Sequence, residues 1–131
     1  MVCIFCEIIS GVVPVPTRGG VVPVSARGSK SSPQILYRDD LVTAFRDIHP
    51  IASTHILIVT NRHIGSVNEL EPEDASLVGH MVLVAKQLAV QAGIAERGYR
   101  LIVNTGAHGG QTVYHLHMHL IGGKLARYAL E

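Results

Sequence analysis

The stretch TVYHLHMHLIGG, residues 112–123, places three histidines at alternate positions, and apolar residues alternate with them. The histidines are His115, His117 and His119. A period of two predicts a β-strand that packs one face in a core and presents a row of imidazoles on the other. This feature restricts the fold strongly, because a protein that buries several ring nitrogens must supply a partner for each of them.

The spacing of the three imidazoles limits what they can bind together. Side chains on one face of a strand lie about 7 Å apart, because the strand rises about 3.4 Å per residue. With zinc–nitrogen bonds of about 2.1 Å, one zinc ion could bind a neighbouring pair but not readily all three. Imidazole has a pKa of about 6.5, so it is largely neutral and nucleophilic at pH 7. The pattern therefore predicts a metal site, a phosphate site, or both.

Composition narrows the class of protein. The chain has 131 residues, enough for one domain with its own core, and 47% of them are hydrophobic. The formal net charge of +1 gives no electrostatic reason to expect binding to nucleic acid or to an anionic membrane. The sequence shows neither a long apolar run nor a signal peptide, so we expect a cytoplasmic protein, or a nuclear one, with reduced cysteines.

One segment, residues 11–33, differs from the rest in composition. GVVPVPTRG is followed directly by GVVPVSARG, and the two copies agree at seven of nine positions. The prolines favour a mobile inserted surface loop over the alternative, a β-hairpin made from the two VVPV runs.

The remaining chain predicts regular elements. Residues 34–48 read as two strands joined by a turn at Asp39 and Asp40, and THILIVTN reads as a buried strand. A helix is predicted over residues 71–92, and its apolar stripe consists of Leu77, Met81, Val84 and Leu88. YRLIVN is a further strand before a glycine-rich turn and the histidine strand. The prediction is an α+β fold with a mostly antiparallel sheet and one long helix packed on it.

The glycine-rich turn runs directly into the histidine strand. Gly106, Gly109 and Gly110 allow backbone conformations in which successive N–H groups point at an anion. Such turns are common between strands, but next to aligned imidazoles this one favours a phosphate site.

Cys3 and Cys6 have the CxxC spacing of half a zinc site. His55, His63 and His115 are available as further ligands. The alternatives are a redox motif, which would need a βαβ context, and a pair of buried thiols. The other histidines, His49, His80 and His108, are interpreted as ordinary packing or surface residues. Asp47 could bind a ligand hydroxyl through its carboxylate.

The ordered motifs resemble the histidine-triad (HIT) superfamily, and within it the Hint branch of purine nucleotide-binding phosphoramidases. The resemblance runs through CIFCEIISG, LVTAFRDI, THILIVTNRHI and GYRLIVNTGAHGGQTVYHLHMHLIGG. It implies a single HIT domain over residues 1–131 that forms a homodimer. It also implies a hydrolase that cleaves nucleoside 5′-phosphoramidates, of the adenosine 5′-monophosphoramidase type, through a covalent nucleotidyl-histidine.

The resemblance also implies roles for individual residues. His117 matches the nucleophile, and His119 and His55 match residues that hold the phosphate and the nucleophile's protonation state. The matching nucleotide contacts are Asn104, Gly110, the backbone of Gln111 and Thr112 for the phosphate, Asp47 for the ribose, and Ile4, Phe5, Ile8, Phe45 and Ile48 for the purine. The matching metal ligands are Cys3, Cys6, His63 and His115, for a structural zinc; no cofactor is implied for the chemistry.

Two departures from the family pattern bear on specificity. The duplicated loop follows the first purine-pocket residues, and the C-terminus GGKLARYALE lacks the tryptophan that Hint proteins usually carry. Two other interpretations remain open at this point. One is a nucleotide-binding scaffold protein with incidental turnover, and the other is a catalytic zinc enzyme that uses the pair His115 and His117.

Overall fold

The computed structural model describes residues 3–11 and 34–125. Residues 12–33 of the predicted inserted loop and residues 126–131 of the C-terminal departure lie outside these residues. The described elements are α1 (Ile4–Ser10), β1 (Ile35–Arg38), β2 (Val42–Arg46), β3 (Ala52–Thr60), α2 (Ala75–Gln91), β4 (Tyr99–Ile102) and β5 (His117–Leu125), together with 3-10 turns at Val67–Glu69, Pro72–Asp74 and Ala107–Gly109.

The five strands form one sheet in the order β1-β2-β3-β5-β4, and every neighbouring pair is antiparallel. The prediction of an α+β fold with one long helix on an antiparallel sheet is confirmed. No helix in the described parts of the chain is both long and apolar enough to cross a bilayer.

Local sequence explains where these elements begin and turn. The Asp39 carboxylate accepts hydrogen bonds from the N–H groups of Leu41 and Val42, each at 2.8 Å, and so closes the turn between β1 and β2. Glu71 and Asp74 form a reciprocal capping box around Pro72, which directs the chain into α2.

The sheet is covered on both faces. The stripe predicted on α2 is buried and packs against one face in a core that includes Ile56, Ile58 and Leu120. On the opposite face, Phe5 and Ile8 of α1 join a smaller cluster made of Ile35, Phe45, Leu57 and Val59. His117 and His119 pair across strands with Val59 and Leu57, so the two imidazoles lie on the α1 side of the sheet.

Two details differ from the sequence prediction. The histidine strand begins at His117, not at Thr112, so His115 lies in the irregular segment before it. The imidazole face is also not open, since His117 is only 7% exposed. The burial of the imidazoles follows from α1, an element that the sequence pattern did not predict, whose Phe5 ring packs edge-on against His115 and His117. The later start of the strand follows from the end of its partner β3 at Thr60, since the Leu116 N–H donates to the Ile64 carbonyl at 2.6 Å.

Candidate active site

A cavity of about 470 Å³ lies between α1, the end of β2 and the beginning of β5. His117 and His119 line it, and so do most of the residues matched to nucleotide contacts: Asn104, Gly110, Thr112, Asp47, Ile4, Phe5, Ile8, Phe45 and Ile48. Apolar side chains thus meet a small group of polar ones, an arrangement typical of sites for small molecules.

Gln111 lies outside the lining of this cavity. Its buried amide donates to the carbonyls of Gly65 and Val113, at 2.8 and 3.1 Å, and accepts from the N–H of Gly106. Its own N–H donates to the Gly106 carbonyl. Gln111 therefore holds the glycine-rich turn in shape, and it does so through a side chain that is 5% exposed.

The N–H groups of the glycine-rich turn are used within the turn itself. Those of Gly109 and Gly110 donate to the carbonyls of Gly106 and Ala107. These two N–H groups are therefore occupied by carbonyls of the turn, and the anion site that the glycines predict stays a prediction. Gly110 retains a left-handed conformation, with φ of +86°, and its carbonyl accepts a hydrogen bond from the Asn104 amide. The polar groups that face the cavity here come from Asn104 and Thr112.

Backbone carbonyls fix the tautomers of two histidines. His117 Nδ1 lies 2.7 Å from the carbonyl oxygen of His115, and a carbonyl only accepts, so Nδ1 carries the proton. The lone pair of His117 is then on Nε2. His115 has the opposite arrangement: its Nε2 donates to the Thr60 carbonyl at 2.6 Å and leaves the lone pair on Nδ1. His115 and His117 thus have their lone pairs on different nitrogens, Nδ1 and Nε2.

His119 belongs to a second polar chain, which starts from a backbone donor. The N–H of Ile51 donates to His55 Nδ1 at 3.2 Å, so the proton of neutral His55 is on Nε2. That nitrogen lies 3.0 Å from His119 Nδ1 and 3.3 Å from an Asp47 oxygen. Neutral His119 therefore carries its own proton on Nε2.

The histidines of the site are held neutral. Burial lowers the pKa of His117, and burial together with the neighbouring imidazoles of His117 and His55 lowers the pKa of His119 to about 4, against the opposing effect of Asp47. Burial likewise lowers the pKa of His55. Neutral imidazoles at pH 7 are the form that can act as nucleophile and as hydrogen-bond donor.

A separate cluster gathers Cys3, Cys6, His63 and His115, whose ligating atoms all lie within 4.8 Å of one another. His115 Nδ1 is 3.3 Å from Cys3 Sγ, and His63 Nδ1 is 3.2 Å from Cys6 Sγ. A tetrahedral zinc site separates sulfur from nitrogen by about 3.6 Å. The four side chains fit such an ion closely, and the hydrogen bond from His115 Nε2 to Thr60 is the kind of contact that orients metal ligands.

Asp47, His55 and His119 form a second group with metal-ligating side chains. Here the tautomers argue against a metal. Binding at His55 Nε2 would require that nitrogen to lose its proton, and Nδ1 could not take the proton up because it faces the Ile51 N–H. This group is therefore better described as a hydrogen-bonded relay.

Several residues at the cavity were not predicted from the sequence. Arg46, His49, Leu57 and Val113 also line it. The backbone N–H of His49 donates a hydrogen bond of 2.8 Å to the Asp47 carboxylate. This bond keeps His49 beside Asp47, just after the end of β2. Proximity in sequence to Asp47 was the available signal for Arg46 and His49, whereas Leu57 and Val113 reach the cavity only through strand pairing and the path of the turn.

The lowered pKa of His119 predicts a loss of stability in acid. The unfolded chain takes up the His119 proton below about pH 6.5, whereas the folded protein does so only near pH 4. The free energy of unfolding should therefore fall as pH drops from about 6.5 towards 4. We expect His119→Asn to show a smaller fall than the parent between pH 7.5 and 5.0, measured by urea unfolding in EDTA. Equal slopes would contradict this prediction.

Comparisons with known proteins agree with the fold and the motif. The sequence model of the HIT domain family matches residues 29–125. The chain is 60% identical over 90 residues to the purine nucleoside phosphoramidase of Escherichia coli strain K12, an alignment that covers 69% of this chain and 76% of that protein.

Solved structures point the same way. A HIT family hydrolase from Legionella pneumophila superposes with a TM-score of 0.80 at 35% identity, covering 99% of this chain and all of that one. A histidine triad protein from Clostridium difficile gives 0.76 at 35% identity, covering 96% and 95% of the two chains. The chain belongs to the HIT domain family.

Proposed function

We propose that this protein is a hydrolase of purine nucleoside 5′-phosphoramidates that works through a covalent nucleotidyl-histidine. One observation carries the proposal: His117, in the wall of the cavity, is buried, neutral and fixed by the His115 carbonyl so that its lone pair is on Nε2. The 60% identity to a bacterial protein named purine nucleoside phosphoramidase supports the substrate class.

The reaction divides into two displacements at phosphorus. In the first, His117 Nε2 attacks the α-phosphorus, the phosphorus–nitrogen bond of the substrate breaks, and the leaving amine takes up a proton from solvent. In the second, water attacks the nucleotidyl-histidine, the bond between phosphorus and Nε2 breaks, and a proton of the water returns to solvent. The nucleoside monophosphate leaves, and Nε2 recovers its lone pair. The imidazole becomes cationic between the steps, and the carbonyl that accepts its Nδ1–H stabilises that charge.

The remaining polar groups would stabilise the phosphoryl oxygens. His119 has its proton on Nε2, and it lines the cavity beside His117, with 5.0 Å between ring centroids. Asn104 and Thr112 supply further donors from the turn. Each well-placed donor can contribute about 3 kcal/mol to the transition state. Gln111 would act indirectly, by keeping the turn in shape, since its backbone N–H is already bonded to Gly106.

The rest of the cavity suits a nucleoside. Its apolar wall, formed by Ile4, Phe5, Ile8, Phe45 and Ile48, would enclose the purine. Asp47 lies at the edge of this wall, where its carboxylate can accept hydrogen bonds from ribose hydroxyls. This arrangement supports a ligand with one flat apolar end, one anionic end and hydroxyl groups between them.

We further propose a structural zinc ion at Cys3, Cys6, His63 and His115. All four coordination positions would be taken by the protein, so the ion would supply cross-linking of the chain and no open position for substrate. The same geometry disfavours a catalytic zinc shared by His115 and His117. The lone pair of His115 faces the cysteines, whereas His117 lines the cavity. Thiolate ligands require reduced cysteines, which suits a cytoplasmic location.

A homodimer completes the proposed assembly. Two apolar side chains on the outer side of α2, Leu83 and Val90, are 62% and 60% exposed. The edge strand β4 adds Leu101, which is 36% exposed, and β4 pairs with β5 alone among the described strands. Exposed apolar groups and an open strand edge are features that a second copy would cover.

Replacement of the nucleophile tests the proposed chemistry. We expect His117→Ala to lower kcat for adenosine 5′-phosphoramidate by about 10³-fold or more, because no other group replaces the attacking nitrogen. AMP release should be measured in EDTA at saturating substrate, where the parent should remain active. His80→Ala, on α2 beyond the opposite face of the sheet, is the matched control and should retain turnover.

The outcomes separate the competing functions. Near-parental turnover by His117→Ala would exclude the covalent mechanism. Loss of parental kcat in EDTA, with recovery on adding zinc, in a protein that still binds AMP when zinc is removed, would favour a catalytic metal. Nucleotide binding without turnover by the parent would identify a binding protein.

The zinc proposal predicts one ion per chain in the reconstituted protein. His63→Ala should weaken zinc affinity by more than about 10-fold, since even the loss of a residue that only orients a ligand costs that much. His108→Ala, which removes an exposed histidine in the glycine-rich turn, should leave affinity unchanged. Competition with a chromophoric chelator measures both, and equal affinities for the two variants would remove His63 from the site.

The dimer proposal predicts that the protein migrates as two chains of 14.1 kDa each. Light scattering coupled to gel filtration measures the mass directly. Leu83→Asp should shift the mass towards one chain, because it places a charge in the covered surface. A parental mass of one chain at micromolar concentration would contradict the proposal.

A further inference from the structure

Two sites share the short helix α1. Its N-terminal turn contributes Cys3, the N-cap residue, and Cys6 to the cysteine–histidine cluster. Other positions of the same helix, Ile4, Phe5 and Ile8, form part of the wall of the cavity. Because the positions that serve the two sites are interleaved within residues 3–8, α1 cannot move at one site without moving at the other.

The position of α1 depends on tertiary contacts. A helix of seven residues is far below the roughly 12–15 residues at which isolated helices become marginally stable. Phe5 and Ile8, at 7% and 3% exposure, hold it on the sheet through the smaller core cluster. Ile4, in contrast, is 45% exposed even though it lines the cavity. Burial of Phe5 and the contacts of the two cysteines with His63 and His115 therefore together fix the N-terminal turn.

The Phe5 ring connects the cluster to the reactive histidine. Its centroid lies 5.8 Å from the ring of His115 and 5.1 Å from the ring of His117, edge-on to both. It also contacts Phe45, a further wall residue of the cavity, at 5.5 Å. A shift of α1 away from His115 would thus open the apolar wall and expose His117 to water.

We propose that metal binding at Cys3, Cys6, His63 and His115 and purine nucleotide binding in the cavity are energetically coupled through α1. The bound ion cross-links α1 to the segments that carry His63 and His115, and so completes the apolar wall before the nucleotide arrives. The nucleotide in turn holds α1 in the position that the metal requires. This inference rests on the proposed function, because it takes the cavity to be a purine nucleotide site.

Linkage makes the coupling reciprocal. Zinc must raise the affinity for AMP by the same factor by which AMP raises the affinity for zinc. Couplings between sites are typically between about 5-fold and 150-fold, so an effect at the lower limit is measurable by titration. Because the apolar wall contacts the purine and not the phosphate, ribose 5-phosphate should show a smaller coupling than AMP.

The experiment is a pair of titrations on the full-length protein. AMP affinity is measured calorimetrically for the zinc-loaded and the EDTA-treated protein, and zinc affinity is measured with a competing chelator with and without saturating AMP. We expect zinc to strengthen AMP binding by about 5-fold or more, with an equal factor in the reverse titration. In His63→Ala, zinc at concentrations that saturate the parent should have much less effect on AMP affinity, whereas His80→Ala, on α2 beyond the opposite face of the sheet, should behave as the parent does.

Hydrogen exchange identifies the route of the coupling. In EDTA, amides of α1 should exchange faster while those of α2 and β3 keep their protection.

Equal AMP affinities with and without zinc would overturn the inference and leave the proposed function intact. Loss of the whole sheet in EDTA would also overturn it, since the coupling would then be global. Equal coupling for AMP and ribose 5-phosphate would overturn the role of the apolar wall. No AMP binding in either state would overturn the proposed function as well.

Discussion

The antiparallel pairing of β3 with β5 is the interaction on which the rest of the structure depends. It places His117 opposite Val59 and His119 opposite Leu57, and it brings His55 to the side of His119. The carbonyl of Thr60, the last residue of β3, reaches His115 just before β5 begins. A slip of one residue in this register would turn the imidazoles of β5 into the core under α2, where their ring nitrogens would lack these partners. Strand register therefore assembles the site before any ligand is present.

Burial turns this register into chemical differences among similar side chains. Desolvation lowers the pKa of His55, His115, His117 and His119, so each ring has one N–H and one lone pair at neutral pH. Backbone groups then decide which nitrogen carries the proton, because a carbonyl can only accept and an N–H can only donate. As a result, the His115 lone pair faces the cysteine thiols, the His117 lone pair is available at the cavity, and the His119 N–H is available beside it. Three identical residues in one motif thereby present different nitrogens to their surroundings.

The two faces of the sheet differ, because the larger apolar core lies on one face and the cavity lies on the other. The face under α2 carries the larger apolar core, which has no part in the cavity. The opposite face has a smaller core, which α1 completes with Phe5 and Ile8. A short helix over this face gives the cavity an apolar wall that needs few residues, but it also makes that wall dependent on the contacts that hold the helix. The cysteines at its N-terminal turn lie where such a constraint acts most directly.

By itself, the sequence determined the antiparallel α+β fold, the long helix with its buried stripe, the turn at Asp39 and the HIT motif, because periodicity and capping are local properties of the chain. The structure confirmed these elements and moved the start of the histidine strand to His117. Only the tertiary structure decided that α1 covers the imidazoles, that the turn N–H groups are already bonded, and that Leu57 and Val113 reach the cavity. It also decided the tautomers of His115 and His119, because Thr60 and His55, which fix their protons, lie far along the chain from them. The tautomer of His117 is instead fixed by the His115 carbonyl, two residues before it. The physical reason is that burial and hydrogen-bond partners depend on which distant segments meet, and no local pattern records that.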